Sequence, residues 1–426
     1  MHTSAGVYVL FQKGIEAMPK TSGRLRPMTA IALFPPTRVE ALARLSNFIP
    51  RAGRQYAERR NSDFGSDDRR NVSLLSPYLR HRLITEREVV AAVLARHSLD
   101  DADKYVQEVL WRTYWKGWLQ LRPAIWAQYN AERDVVRASF RGARDLHRAE
   151  SGMTGIDGFD DWARELVATG YLHNHARMWF ASIWIFTLRL PWTLGADFFM
   201  SHLIDADPAS NTLSWRWVAG LQTPGKTYLA TADNIARHTD GRFVPKGLAT
   251  TAVALTEPPM PVATALPELP EPARDVPALL LVTPEDMHPE SVFAPAILFK
   301  GILVMSTTPS GGAASQAFVA GAAADSAERA QSYFNCPVRT MGTFDPDTIH
   351  AAAMDANVGT ILTPCAPVGP TADALAATAT TLQQSGIRLI QQRRPWDSRF
   401  WIHARKGFFN FKANIPQILT HELLGL

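Results

Sequence analysis

The chain has 426 residues, 46% of them hydrophobic and 20% charged, with a formal net charge of +4. That length exceeds one compact core and points to two domains, and the composition is globular rather than disordered. Two cysteines, Cys336 and Cys365, are too few for a disulfide framework or an iron–sulfur cluster. No apolar run is long enough to span a bilayer, so no membrane partner is expected and a reducing, cytoplasmic setting is the default. The small basic excess is compatible with nucleic acid as a partner without requiring it.

Residues 1–38 open "MHTSAGVYVLFQKGIEAMPK", a weak apolar patch with neither a signal-peptide core nor a cleavage site. They read as a partly disordered leader, with order beginning near Met28. Residues 39–246 read as helical. "TEREVVAAVLARH" repeats apolar residues at spacings of three and four. "DADKYVQEVLWRTYWKGWLQL" and "GFDDWARELVATGYLHNHARMWFASIWIFTL" do the same, with aspartates at their starts. Ten of the twelve tryptophans fall between Trp111 and Trp217. Such enrichment suits a helical domain that holds a flat conjugated ligand or needs redox-active aromatics. Taken singly, each tryptophan is equally at home in a core. The densest run is "IDADPASNTLSWRW", Ile204 to Trp217. Asp207-Pro208 reads as an N-cap followed by proline at the first helical position. That accounts for Asp207 and Pro208 but not for Asp205 or Asn211.

Residues 247–276, including "TEPPMPVATALPELPEPARDVP", are rich in proline and alanine and read as a semi-rigid linker. Residues 277–395 change grammar. "ALLLVT", "GILVMST", "VRTMGT", "GTILTPCAP" and "IRLIQQ" have strand length, and helical stretches separate them. That alternation predicts a doubly wound, Rossmann-like α/β domain with a parallel sheet. "TPSGGAASQAF" follows the second strand but is not GxGxxG, which makes it a weak phosphate-loop candidate. Residues 396–426 form a basic, aromatic tail outside the sheet. No metal site and no oligomeric interface are read from the sequence.

Four stretches of the helical half, "LLSPYLRHRLI", "EVLWRTYW", "TGYLHNHARMW" and "IDADPASNTLSWRW", resemble the flavin-contacting signature of the photolyase/cryptochrome family, in the same order and at similar spacings. The resemblance covers about residues 50 to 245. It implies a helical domain that binds FAD in a folded, U-shaped conformation. Tyr56, Val72, Ser73, Leu74, Leu75 and Ser76 would line the diphosphate and ribityl side, and Arg112 would add a positive charge there. Tyr105 and Glu108 join this cofactor set by position. Asn174 and Arg177 would border the isoalloxazine, with Arg177 and Asp205 as a buried ion pair. Asp207 would face the ribityl or adenine part. Asn211 would sit opposite the flavin N5, where an amide can accept and donate. Trp215 and Trp192 match the first two members of an electron relay. Trp126, Trp184 and Trp179 are candidates for the outermost member.

The same resemblance separates two roles. Glu108, Trp111, Met178 and Trp217 match the lesion-side residues of repair enzymes, which implies a deoxyribodipyrimidine photolyase acting on damaged DNA. The alternative is a cryptochrome-like photoreceptor without repair activity. His175 stands where repair members carry an arginine for the DNA backbone, and a further basic residue after Trp217 is missing. Lys226, Arg237 and Arg242 are candidate substitutes. Single-stranded DNA is therefore the favoured substrate, since weaker phosphate contacts penalise the duplex. The domain order also departs from the family. The α/β half follows the helical half instead of preceding it, and its tail "ARKGFFNFK" resembles the segment that closes the usual antenna sheet. An antenna chromophore between the halves is possible on that resemblance, but no residue supports one.

Overall fold

The computed structural model describes residues 30–270 and 276–424. The leader expected over residues 1–38 lies outside the described residues up to residue 29. The same holds for residues 271–275 of the linker and the last two residues of the tail. From Phe34 onward the chain is packed: Phe34 is fully buried, with its ring 6.4 Å from Tyr78 and 5.8 Å from Tyr171.

The helical half is an all-α layer, as its 3.6-residue periodicity predicts. Six of its helices position the site: α1 (Ser76–Arg80), α2 (Leu99–Gln120), α3 (Pro123–Ser139), α4 (Asn174–Ser182), α5 (Trp192–His202) and α6 (Pro208–Val218). The long α2 is started by Ser98, whose hydroxyl accepts from Asp101 N, and by two aspartates in its first turn. The α6 helix begins as its sequence predicts. Asp207 caps it by accepting from Ser210 N, and Pro208 takes the first helical position. Gly195 lets α5 and α6 close together. A Cβ at that position would come 2.3 Å from the Trp215 ring.

The second half is a five-stranded parallel sheet. Its strands are β1 (Ala278–Val282), β2 (Phe299–Met305), β3 (Val338–Met341), β4 (Thr360–Pro364) and β5 (Arg388–Gln392), in the order β3-β2-β1-β4-β5. The central strands β1 and β4 are buried along their whole length, which is why they read as continuous apolar runs. The helices α7 (Ala313–Phe334), α8 (Pro346–Asp355) and α9 (Pro370–Gln384) make the crossovers. "TPSGGAASQAF" does lead from β2 into α7, but its backbone lies against the helical half. A Cβ on Gly312 would come 2.0 Å from Ser201 O. That approach leaves the loop no room to wrap a phosphate.

The segment after residue 246 is extended and hydrogen-bonded along the helical half, so it works as a strap. Leu255 N donates to Ala219 O at 3.1 Å and Thr264 N to Leu121 O at 2.9 Å. Glu257 pairs with the buried Arg216. Prolines contribute no N–H, but their carbonyls remain acceptors. Arg122 Nε donates to Pro261 O at 3.2 Å and Arg393 Nη2 to Pro267 O at 2.8 Å. The tail forms α10 (Pro395–Trp401), α11 (Phe408–Lys412) and a last helix, Ile415–Leu424. It packs back onto α2: Trp396 Nε1 donates to Thr113 Oγ1 at 3.3 Å, and the Phe408 ring stacks on Trp111 at 3.6 Å. No helix among the described residues is long and apolar enough to cross a membrane.

Candidate functional site

The four motifs converge on one cavity of about 520 Å³. One wall comes from Tyr56 and the segment Val72–Ser76. A second is α2, through Glu108, Trp111 and Arg112. A third is α4, through Asn174, Arg177 and Met178. The floor is the Asp205–Asp207 loop with Asn211, Trp215 and Trp217 of α6. The size is that of a cofactor site. Leu74 sits in the left-handed region at φ 54°, a conformation that disfavours a branched side chain and that clusters at functional sites. Two residues of the expected set do not line the cavity. Tyr105 shares a helix face with Glu108 and Arg112, but the Tyr56 ring covers it edge-on at 5.0 Å. Trp192 lies behind the cavity at the start of α5.

Charge is concentrated on the floor. Arg177 Nη2 lies 3.3 Å from Asp205 Oδ1 and Arg112 Nη1 3.2 Å from Asp207 Oδ2. Arg112 Nη2 also lies 3.7 Å from Asp205. So Arg112 neutralises both aspartates, where the resemblance implies a diphosphate partner. Burial opposes ionisation of Asp207, yet Lys116, Arg112, Arg80 and the Ser210 N–H together hold its carboxyl well below the usual range. Asp205, buried too, is held down by Arg177 and Arg112. Asn211 Nδ2 donates to Ala196 O at 2.8 Å. That commits one amide hydrogen to the protein and leaves the carbonyl oxygen as the acceptor Asn211 can offer a ligand.

The opposite rim carries Glu108, paired with Arg60, another lining residue. Burial pushes the Glu108 carboxyl up and Arg60 opposes it. His175, beside His173 and His238, is lowered to about 4, first by burial and then by those neighbours and Arg60. Arg242 is committed to Asp63, while Lys226 and Arg237 stand exposed.

Behind the cavity, Trp215 packs on Phe199 at 5.1 Å and on Trp184 at 6.2 Å. Trp192, on α5, packs on Tyr129 at 5.6 Å, and Tyr129 packs on the buried Trp126 at 5.6 Å. The Trp126 indole N–H donates to Asp373 Oδ2 at 3.0 Å. Trp179 points elsewhere, donating to Asn234. Sequence reasoning missed Arg60, Arg80 and Lys116. Each lies four residues after a named site residue, Tyr56, Ser76 and Arg112 respectively, and so on the same helix face. That spacing was the available signal.

Residues 105–246 match the family described as the FAD binding domain of DNA photolyase. Within the helical half, residues 105–246 belong to the family of photolyase FAD-binding domains. They form an FAD-binding domain of photolyase type, joined here to a parallel-sheet domain. The chain is 35% identical over 153 residues to the deoxyribodipyrimidine photo-lyase of Streptomyces griseus, covering 36% of this chain and 33% of that protein. To the enzyme of the same description from Salmonella typhimurium it is 32% identical over 202 residues, covering 46% and 42%. It therefore spans under half the length of these curated relatives. Among solved structures, a bacterial class III photolyase from Agrobacterium tumefaciens is 28% identical, with a TM-score of 0.39, over 48% of this chain and 45% of that one.

Proposed function

We propose that this chain is a light-driven DNA-repair photolyase that splits pyrimidine dimers. The observation that carries the proposal is that Glu108, Trp111, Met178 and Trp217 line the same cavity as the flavin set. The residues fit FAD. The cavity has cofactor size, its floor pairs cations with carboxylates, and Asn211 keeps a free acceptor oxygen. When bound and reduced, FAD supplies an excited-state electron to the dimer and recovers it after the bond splits.

The chain's own residues divide the remaining work. Arg177 and Asp205 hold one another and fix the floor on which the isoalloxazine would lie. Asp207 and Arg112 would border the ribityl or adenine side of FAD, and Tyr56 with Ser73 to Ser76 would enclose its diphosphate. Trp111 and Trp217 offer aromatic faces to extruded bases, offsetting part of the cost of leaving the stack. Glu108 hydrogen-bonds the dimer, and a carboxyl raised by burial is suited to share a proton with it. Trp215, Trp192 and Trp126 carry electrons to the site, with Asp373 taking the indole hydrogen bond at the outer end. The reading is tested by illuminating the purified, fully reduced protein with dimer-containing single strands and duplexes. Splitting of either supports it, single strands being the better substrate. Splitting of neither overturns it.

One observation favours the photoreceptor alternative. His175, held neutral at physiological pH, stands where a repair enzyme of this type carries a cation. Loss of that phosphate contact weakens binding to any sequence. A light-dependent conformational change without dimer splitting is the outcome this second reading requires.

A further inference from the structure

A doubly wound sheet ordinarily takes its ligand in the crevice outside the carboxyl ends of its strands, where the strand order reverses. Here that point lies between β1 and β4. The crevice is filled by the flavin domain. Arg80, the last residue of α1, places Nη1 2.5 Å and Nη2 2.7 Å from the two oxygens of Glu285, which follows β1. Thr371, at the start of α9 after β4, donates its hydroxyl to Glu285 Oε1 at 3.0 Å. All three residues are almost wholly buried. The same guanidinium faces the other way as well. Its Nε donates to Ala206 O at 3.2 Å and lies 3.9 Å from Asp207 Oδ2. Ala206 is the residue between the two carboxylates of the cavity floor.

We propose that Glu285 is a positioning residue for the cofactor site. It fixes Arg80 so that the guanidinium holds the Asp205–Asp207 loop in its binding geometry. The switch-point crevice of the α/β domain thus supports the flavin pocket from behind and takes no ligand of its own. The proposal rests on FAD occupying the cavity. The physical reason is directional. A bidentate carboxylate orients the planar fork of Arg80 and leaves Nε aimed at Ala206 O. Without it, a buried cation is left beside Asp207, which already faces Arg112 and Lys116. It is then drawn off the carbonyl toward that carboxylate. A second ion-pair cluster in the same interface provides a control. Arg82 Nη2 lies 2.7 Å from Asp397 and Arg82 Nη1 3.3 Å from Asp286. These pairs dock the same two domains without touching Ala206 or Asp207.

The test compares Glu285→Gln, Thr371→Val and Asp286→Asn in the full-length protein. FAD dissociation from the purified holoprotein is read by flavin fluorescence on dilution. Glu285→Gln is expected to weaken FAD binding at least tenfold and Thr371→Val two- to threefold. Asp286→Asn should stay within twofold of wild type while lowering Tm. Amide exchange at Ser210, whose N–H donates to Asp207 Oδ1 at 2.7 Å, supplies a readout that needs no flavin. It should quicken in the first two variants and not in the third. Unchanged FAD affinity and unchanged Ser210 exchange in the first two would overturn the proposal. So would equal losses in Asp286→Asn. If Glu285→Gln does not fold, Thr371→Val decides. A wild-type protein that binds no FAD overturns the reading of the cavity instead, and Ser210 exchange still decides the role of Glu285.

Discussion

Glu108 and His175 sit on one rim with opposite burdens, a carboxyl pushed up by burial and an imidazole pushed down. Replacing Glu108 by alanine removes a hydrogen bond from a charged acceptor, about 1.5–3 kcal/mol, so dimer splitting should fall roughly ten- to hundredfold. The flavin absorption spectrum should stay as it is, because the floor that holds the cofactor is untouched. Loss of FAD in Glu108→Ala would move the glutamate from the substrate to the cofactor. His175→Arg tests the other side. An arginine there restores a permanent cation, so duplex affinity should rise and the slope of log affinity against log salt should steepen by about one. A salt slope equal to that of wild type would show that this position does not meet the DNA backbone.

At the scale of elements, the proposed relay depends on how α3, α5 and α6 meet. Trp192 touches Tyr129, and Tyr129 touches Trp126. The Tyr129 hydroxyl is buried without a hydrogen-bond partner, and burial raises its pKa well above the ordinary tyrosine value. Its proton has nowhere to go, so it makes a poor resting place for an electron hole. Trp126, with Asp373 accepting its indole N–H, makes a good one. Trp126→Phe should therefore slow photoreduction of oxidised FAD several-fold, and Tyr129→Phe should change it far less. Equal effects would mean that the tyrosine is the terminal donor. The tail element invites a similar test. Phe408 is buried against Trp111, so Phe408→Ala should cost about 3 kcal/mol of stability and loosen that wall of the lesion pocket, with FAD retained. Unaltered repair in the folded variant would separate the tail from the site. These elements also show what was legible in advance. The α6 start, the parallel sheet and the four motifs that line the cavity could be read because each is a local pattern, a cap, a run or a spacing. Trp126 could be named but not chosen, because its partner Asp373 lies 247 residues away. The Arg80–Glu285 pair, 205 residues apart, left no local trace at all. Charge pairing across a domain interface has no period.

Across the whole molecule, the buried histidines set the response to acid. Burial, reinforced by Arg80, lowers His81 to about 3, and its Nδ1 lies 2.6 Å from Pro284 O across the interface. His288, also in the interface, is lowered by burial and by Arg38, with Glu88 opposing. His173, beside the cavity, is lowered by burial, with Asp63 opposing and Arg177 assisting. An unfolded chain protonates each of these near pH 6.5, while the folded chain refuses the proton. The stability they confer is therefore complete above pH 6.5 and is lost as pH falls from 6.5 toward 4. By pH 4.5 His81 alone accounts for roughly 3 kcal/mol, and the other two add to it. Glu108, Glu165 and Glu290, raised by burial, recover some stability over the same range. The depressed carboxylates Asp205, Asp207, Glu285 and Asp286 begin to lose theirs from about pH 5 downward, overlapping the lower part of the histidine window. Against a total of about 5–15 kcal/mol for a typical domain, the histidine loss is large. Two of the three histidines lie between the domains, so docking should weaken before the helical half unfolds. Scanning calorimetry at pH 7.5, 6.5, 5.5 and 4.5 should show Tm falling most steeply below 6.5, with a second transition splitting off. In His81→Gln the fall should be shallower, because a group that takes up protons only on unfolding has been removed. A Tm that holds constant from pH 7.5 to 5 would show that these histidines are protonated in the folded protein and that the interface tolerates their charge.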